Sequence, residues 1–121
     1  MVSILIFVEN LPEAFAHYKR AFGATNVGEG YGDIGELIHL EMNILGSKIA
    51  LAPHSPSEIA KGNVTVICVN FSNKEALLNA YDVLKEDGQT DGLTELPWSP
   101  LEGYVTDKYG VVWCIGYRHD M

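Results

Sequence analysis

Long hydrophobic runs, basic residues and cysteines are all scarce in this 121-residue sequence, and each scarcity removes a class of protein. No apolar run approaches the roughly 20 residues that a helix needs to span a bilayer. The opening stretch Val2-Ser3-Ile4-Leu5-Ile6-Phe7-Val8 has no basic residues ahead of it and meets Glu9 at once, which makes a poor signal peptide. Eight basic residues against sixteen acidic ones leave a net charge of −8. A surface of that sign repels phosphate backbones and argues against nucleic acid and anionic membrane as partners. With only two cysteines, Cys68 and Cys114, there is no disulfide framework. Both lie in apolar runs, which predicts reduced core thiols and a cytoplasmic location. What is present is globular: 47% hydrophobic and 20% charged residues, in a length that suits one domain.

The order of elements repeats. Val2 to Val8 reads as a strand buried on both faces. Asn10 can cap a helix whose first turn holds Pro12 and Glu13, and whose apolar side recurs at Leu11, Ala14, Phe15, Tyr18 and Phe22 before Gly23 closes it. A glycine-diluted strand, Thr25 to Tyr31, follows. Glu36 to Met42 alternates, Asn43-Ile44-Leu45-Gly46 turns the chain, and Ser47 to Ala52 returns. After a proline-bearing linker the sequence starts again. Val64 to Phe71 is a strand, Ser72 a cap, Lys74 to Glu86 a helix, and Thr90–Trp98, Gly103–Thr106 and Val111–Tyr117 are three strands. An internal βαβββ duplication organises the chain into module 1 (1–54), a linker (55–63) and module 2 (64–121), within one domain 1–121.

Two stretches carry a family resemblance. Leu11-Pro12-Glu13-Ala14-Phe15-Ala16-His17-Tyr18-Lys19-Arg20-Ala21-Phe22-Gly23-Ala24 resembles the first helix of the vicinal oxygen chelate superfamily of glyoxalases, extradiol dioxygenases and bleomycin-resistance proteins. Gly103-Tyr104-Val105-Thr106-Asp107-Lys108-Tyr109-Gly110-Val111-Val112-Trp113 resembles the last hairpin of its PhnB-like branch, labelled demethylubiquinone methyltransferase-like, although that branch usually has tryptophan where Tyr104 stands. The resemblance implies an α+β fold in which two βαβββ modules form a cupped eight-stranded mixed sheet. It commonly implies a homodimer. A methyltransferase activity does not follow, because nothing in the sequence reads as a Rossmann-type nucleotide site.

Enzymes of the superfamily hold a divalent metal through His, Glu or Gln on the first and last strand of each module. Counting along this sequence puts those positions at Ser3, near Val64, Ala50 and Cys114. Such residues cannot make a divalent-metal cage, so neither metal nor other cofactor is expected. His17, His54 and His119 have no second donor at ligand spacing. His39 and Glu41, two apart on a strand, project from one face. They read either as a base or hydrogen-bonding pair lining the cup, or as the solvated side of an amphipathic strand. Cys114 has only apolar neighbours, which favours a structural thiol over a nucleophile. Trp98 and Tyr104 offer flat apolar area to a ligand or to a dimer partner. Asp107 and Gly110 read as turn residues, and Gly28-Glu29-Gly30-Tyr31-Gly32 as a strand or hairpin rather than a phosphate loop.

The candidate binding set is therefore His39, Glu41, Trp98, Tyr104 and Cys114, with His39 and Glu41 as the catalytic candidates. Two functions remain open. One is metal-independent binding of an apolar or aromatic small molecule, and the other is an isomerase, lyase or transferase using Glu41 or His39 as general base. An anionic ligand would need Lys48 or Arg118 gathered locally.

Overall fold

A computed structural model describes residues 2–53 and 58–117 and divides the chain into two compact units, Met1–Ala60 and Lys61–Met121. The first unit holds β1 (Ile4–Phe7), α1 (Leu11–Phe22), β2 (Thr25–Tyr31), β3 (Leu37–Ile44) and β4 (Ser47–Ala52), in the sheet order β1-β4-β3-β2. β1 runs parallel to β4, and the other pairs are antiparallel.

Local sequence explains α1. The Asn10 side chain accepts from Glu13 N at 3.1 Å, Pro12 sits where no helical N–H is needed, and Gly23 ends the helix at φ 69°. Its buried side, Leu11, Ala14, His17, Tyr18, Ala21 and Phe22, packs on β3 and β4, whose inward residues are Leu40, Met42, Ile44, Ile49 and Leu51. Burying each large apolar side chain there contributes about 1.5–3 kcal/mol. A two-residue turn links β3 to β4, with Leu45 at φ 50° and Gly46 at φ 93°. Gly46 N donates to Asn43 Oδ1 at 2.8 Å and locks the register.

The second unit holds β5 (Ile67–Phe71), α2 (Lys74–Leu84), β6 (Gln89–Thr90), β7 (Thr94–Leu96), β8 (Ser99–Thr106) and β9 (Val112–Tyr117). Its sheet runs β5-β9-β8-β6, with β7 also on β8 and β5 parallel to β9. The core is Val69, Phe71, Leu77, Ala80, Leu84, Val105, Trp113 and Ile115. At the β8–β9 turn the buried Asp107 accepts from Tyr109 N, Val111 N and Trp113 Nε1 at 2.9, 3.0 and 2.8 Å, and Gly110 takes φ 88°.

The α+β fold of two βαβββ modules follows the sequence pattern, with differences of detail, among them that α2 ends at Leu84 rather than Glu86 and that β8 starts at Ser99 rather than Gly103. β1 is not buried on both faces: Ile4 and Leu5 are 41% and 49% exposed, and among the described strands β1 stands at the edge of its sheet, paired with β4. β5 starts at Ile67, and Val64 is fully exposed. Asn73, not Ser72, caps α2 by accepting from Ala76 N at 2.8 Å. The strand expected over Thr90–Trp98 is two, β6 and β7, because Gly92 turns at φ 99° between them; the described strands therefore number nine.

Candidate functional site

In the first unit, β3 has two unlike faces. Leu40 and Met42 lie under α1, while His39 and Glu41 alternate with them on the face that carries no helix, both half-buried. There Glu41 has two partners. His39 Nε2 is 3.5 Å from Oε1, and Lys48 Nζ is 3.5 Å from Oε2. Lys48 reaches it because the tight hairpin pairs Asn43 with Lys48, two residues along from the Glu41 and Ala50 pair and so on the same face. The side chains remain 33–50% exposed, so these contacts contribute at most about 1 kcal/mol each and act mainly by fixing orientation.

The neighbouring strand clears the space. Gly28 pairs with Glu41 and Gly30 with His39. A Cβ at Gly28 would stand 2.9 Å from Glu41 Oε2, and one at Gly30 would stand 3.2 Å from His39 Cβ. Across the four strands, Gly28, Glu41, Ala50 and Leu5 stand side by side. The row is a carboxylate set among a glycine, an alanine and a half-exposed leucine.

The matching row of the second unit holds Tyr104, Cys114 and Cys68 as successive register partners. Beside it stand Thr94, Glu102, Gly116 and Asn70. Cys114 is 8% exposed and lies 3.6 Å from Glu102 Oε1, with Cys68 beside it as its register partner on β5. Burial first, then the charges of Glu102 and Cys68, push the Cys114 thiol up to about 11. The Tyr104 phenol is raised too, chiefly by the Cys114 sulfur across the strand pair. Cys68 is exposed, which corrects the expectation of two core thiols: β5 is an edge strand, and Cys68 faces away from α2.

His39 and Glu41 are thus together, as are Tyr104 and Cys114, while Trp98 stands 65% exposed at the turn between β7 and β8. His17 is buried in α1, edge-on to Tyr18 with ring centroids 5.9 Å apart. His54, Arg118 and His119 lie outside the described residues. The sequence points to Lys48 only as a charge for an anionic ligand, and it does not mark the glycines of β2 or Cys68 as site residues. The signals for them are the two-residue turn, which fixes Lys48 opposite Asn43, and an offset from the helices. Leu5 and Cys68 each stand six residues before their helix begins (11 − 5 and 74 − 68). A further cavity of about 400 Å³, lined among others by Lys61, Asn63, Asp87, Gln89, Thr106 and Lys108, contains none of the candidate residues.

Paired βαβββ modules, each with an open sheet face opposite its helix, define the class of scaffold. The family model of the Glyoxalase/Bleomycin resistance protein/Dioxygenase superfamily matches residues 1–115, and the chain belongs to that superfamily. Among solved structures it is similar to the PhnB protein from Bacillus cereus (20% identity, TM-score 0.82, covering 97% of this chain and 98% of that one). It is also similar to a protein from Pseudomonas aeruginosa (21%, TM-score 0.77, 98% of each chain). A third similar structure is a variant of the fosfomycin resistance protein FosX from Listeria monocytogenes, complexed with Mn(II) and 1S,2S-dihydroxypropylphosphonic acid (13%, TM-score 0.73, 96% and 90%). A search of curated proteins gave no match.

The residues here do not fit a divalent ion of that kind. The first-strand partner of Ala50 is Leu5, not Ser3, and that of Cys114 is Cys68, not Val64, since the positions counted from sequence precede the paired parts of β1 and β5. Leu5, Ala50, Cys68 and Cys114 offer two thiols and no oxygen or imidazole donor, whereas Mn(II) prefers oxygen ligands. Among the described residues, no three His, Cys, Asp or Glu side chains gather as a ligand group.

Proposed function

We propose that the protein binds an apolar or aromatic small molecule without a divalent metal. The row of Gly28, Glu41, Ala50 and Leu5 carries this reading. It combines a low, partly apolar floor with one oriented polar anchor, the usual composition of a small-molecule site. In the second unit, taken by itself, the exposed rings of Trp98 and Tyr104 supply flat apolar area of the kind such ligands use. Pairing of two chains belongs to the same reading, as the family resemblance implies. So does a cytoplasmic home, which suits two free thiols.

The contact between His39 and Glu41 favours one alternative, an enzyme with either residue as general base. In that case Glu41→Gln removes turnover and leaves binding. Against it, Lys48 Nζ already donates to Glu41 Oε2. The test is a thermal-shift screen of small aromatic and aliphatic compounds in chelator-containing buffer, repeated on Gly28→Leu and Glu41→Ala in the first unit and on Trp98→Ala and Tyr104→Ala in the second. Compounds that stabilise the parent chain and lose their effect in the first-unit variants support the proposal for that face, and loss in the second-unit variants assigns the ligand to the rings. Stabilisation seen only after a divalent metal is restored would overturn it.

A further inference from the structure

In the second unit, β5 and β9 run parallel, and Cys68 and Cys114 are direct register partners, both on the face that carries no helix. Neighbouring strands lie about 4.8 Å apart, so register partners on one face set their two side chains next to each other. Cys68 is exposed and gives access to its buried partner. We propose that Cys68 and Cys114 form a two-thiol clamp for a trivalent organoarsenical. The geometry supplies two sulfurs side by side, and no three-donor ligand group exists among the described residues. The centre that fits is therefore one satisfied by two sulfurs and a bond it already has to carbon. A divalent metal ion needs more donors.

The local charge favours the same choice. Binding a metal ion requires thiolates, but Cys114 keeps its proton to about pH 11 beside Glu102. Condensation with R–As(OH)2 runs from neutral to neutral. Two As–O bonds break and two As–S bonds form. The thiol protons leave in two waters, and arsenic stays trivalent with nothing oxidised. Tyr104, the partner of Cys114 on β8 and 61% exposed, stands where it can flank the organic substituent.

The probe is phenylarsine oxide, added to the whole chain and read by intact mass spectrometry with thiol titration. The clamp predicts one arsenical per chain less one water, simultaneous loss of both titratable thiols, and release by a small dithiol but not by a monothiol. Cys68→Ser and Cys114→Ser should each lose at least about a hundredfold in affinity, as a chelate does on losing one arm. Cys68 is exposed, so its variant keeps the test valid even if Cys114→Ser folds poorly. Two arsenicals per chain, undiminished binding by Cys68→Ser, or stoichiometric Zn²⁺ or Cd²⁺ that displaces the arsenical would overturn the proposal.

Discussion

The Asp107 side chain gathers three donors at the β8–β9 turn. Its carboxylate takes two backbone N–H groups of the turn and the indole N–H of the fully buried Trp113. Asp107→Ala leaves that indole without its acceptor and opens the turn, and should cost about 2–4 kcal/mol in a urea titration. Asp107→Asn keeps one carbonyl oxygen and should cost less. The turn role was legible, because Asp followed by Gly three residues later is a local signal. The bond to Trp113 was not, since it depends on packing between strands. The same limit separates the two helix caps. Asn10 stands alone ahead of a proline, whereas Ser72 and Asn73 are both capping residues, and only the backbone decides between them.

At the scale of elements, β2 is built to leave space. Gly28 and Gly30 alternate with Val27, Glu29 and Tyr31, so one side of the strand has almost no side chains where His39 and Glu41 lie. On the other side Glu29 accepts from Tyr31 and Asn26, and these bonds, that of Tyr31 first, lower its carboxyl from the ordinary value. Gly28→Ala should displace the far end of Glu41 rather than the backbone. Its stability should stay within about 0.5 kcal/mol of the parent, while ligand affinity at this face falls. A large loss of stability in thermal melts would show that the glycine serves the fold instead. Alternation in β3 made the His39 and Glu41 face readable from sequence. Lys48 was less so, because its reach to Glu41 depends on a turn with Leu45 at positive φ, an unusual choice for leucine. Cys68 was obscured by an apolar run that looks buried and is in fact a sheet edge.

For the whole molecule, duplication was the most readable feature, since it is a pattern of periods and needs no long-range contact. Which residues meet across the open faces was not readable at the same level, because one or two residues of strand register change every partner. The shifted thiol gives the molecule a pH dependence. The folded chain holds the Cys114 proton more tightly than the unfolded one, with the value raised from 9.0 to about 11. That contribution to stability is complete below pH 9 and is lost as pH rises toward 11. The raised Tyr104 acts in the same direction. Urea midpoints should therefore fall between pH 9 and 11, and Cys114→Ser should flatten the fall.

The central claim is that the open face of the first unit takes an organic ligand with no divalent ion. Amide NMR tests it most directly, by titrating small aromatic compounds and, separately, Mn²⁺ into chelator-treated protein. The account predicts ligand-induced shifts centred on Gly28, Gly30, Glu41 and Ala50, with no selective broadening of these amides by Mn²⁺. Broadening confined to that row, or ligand shifts that appear only with the metal present, would contradict it.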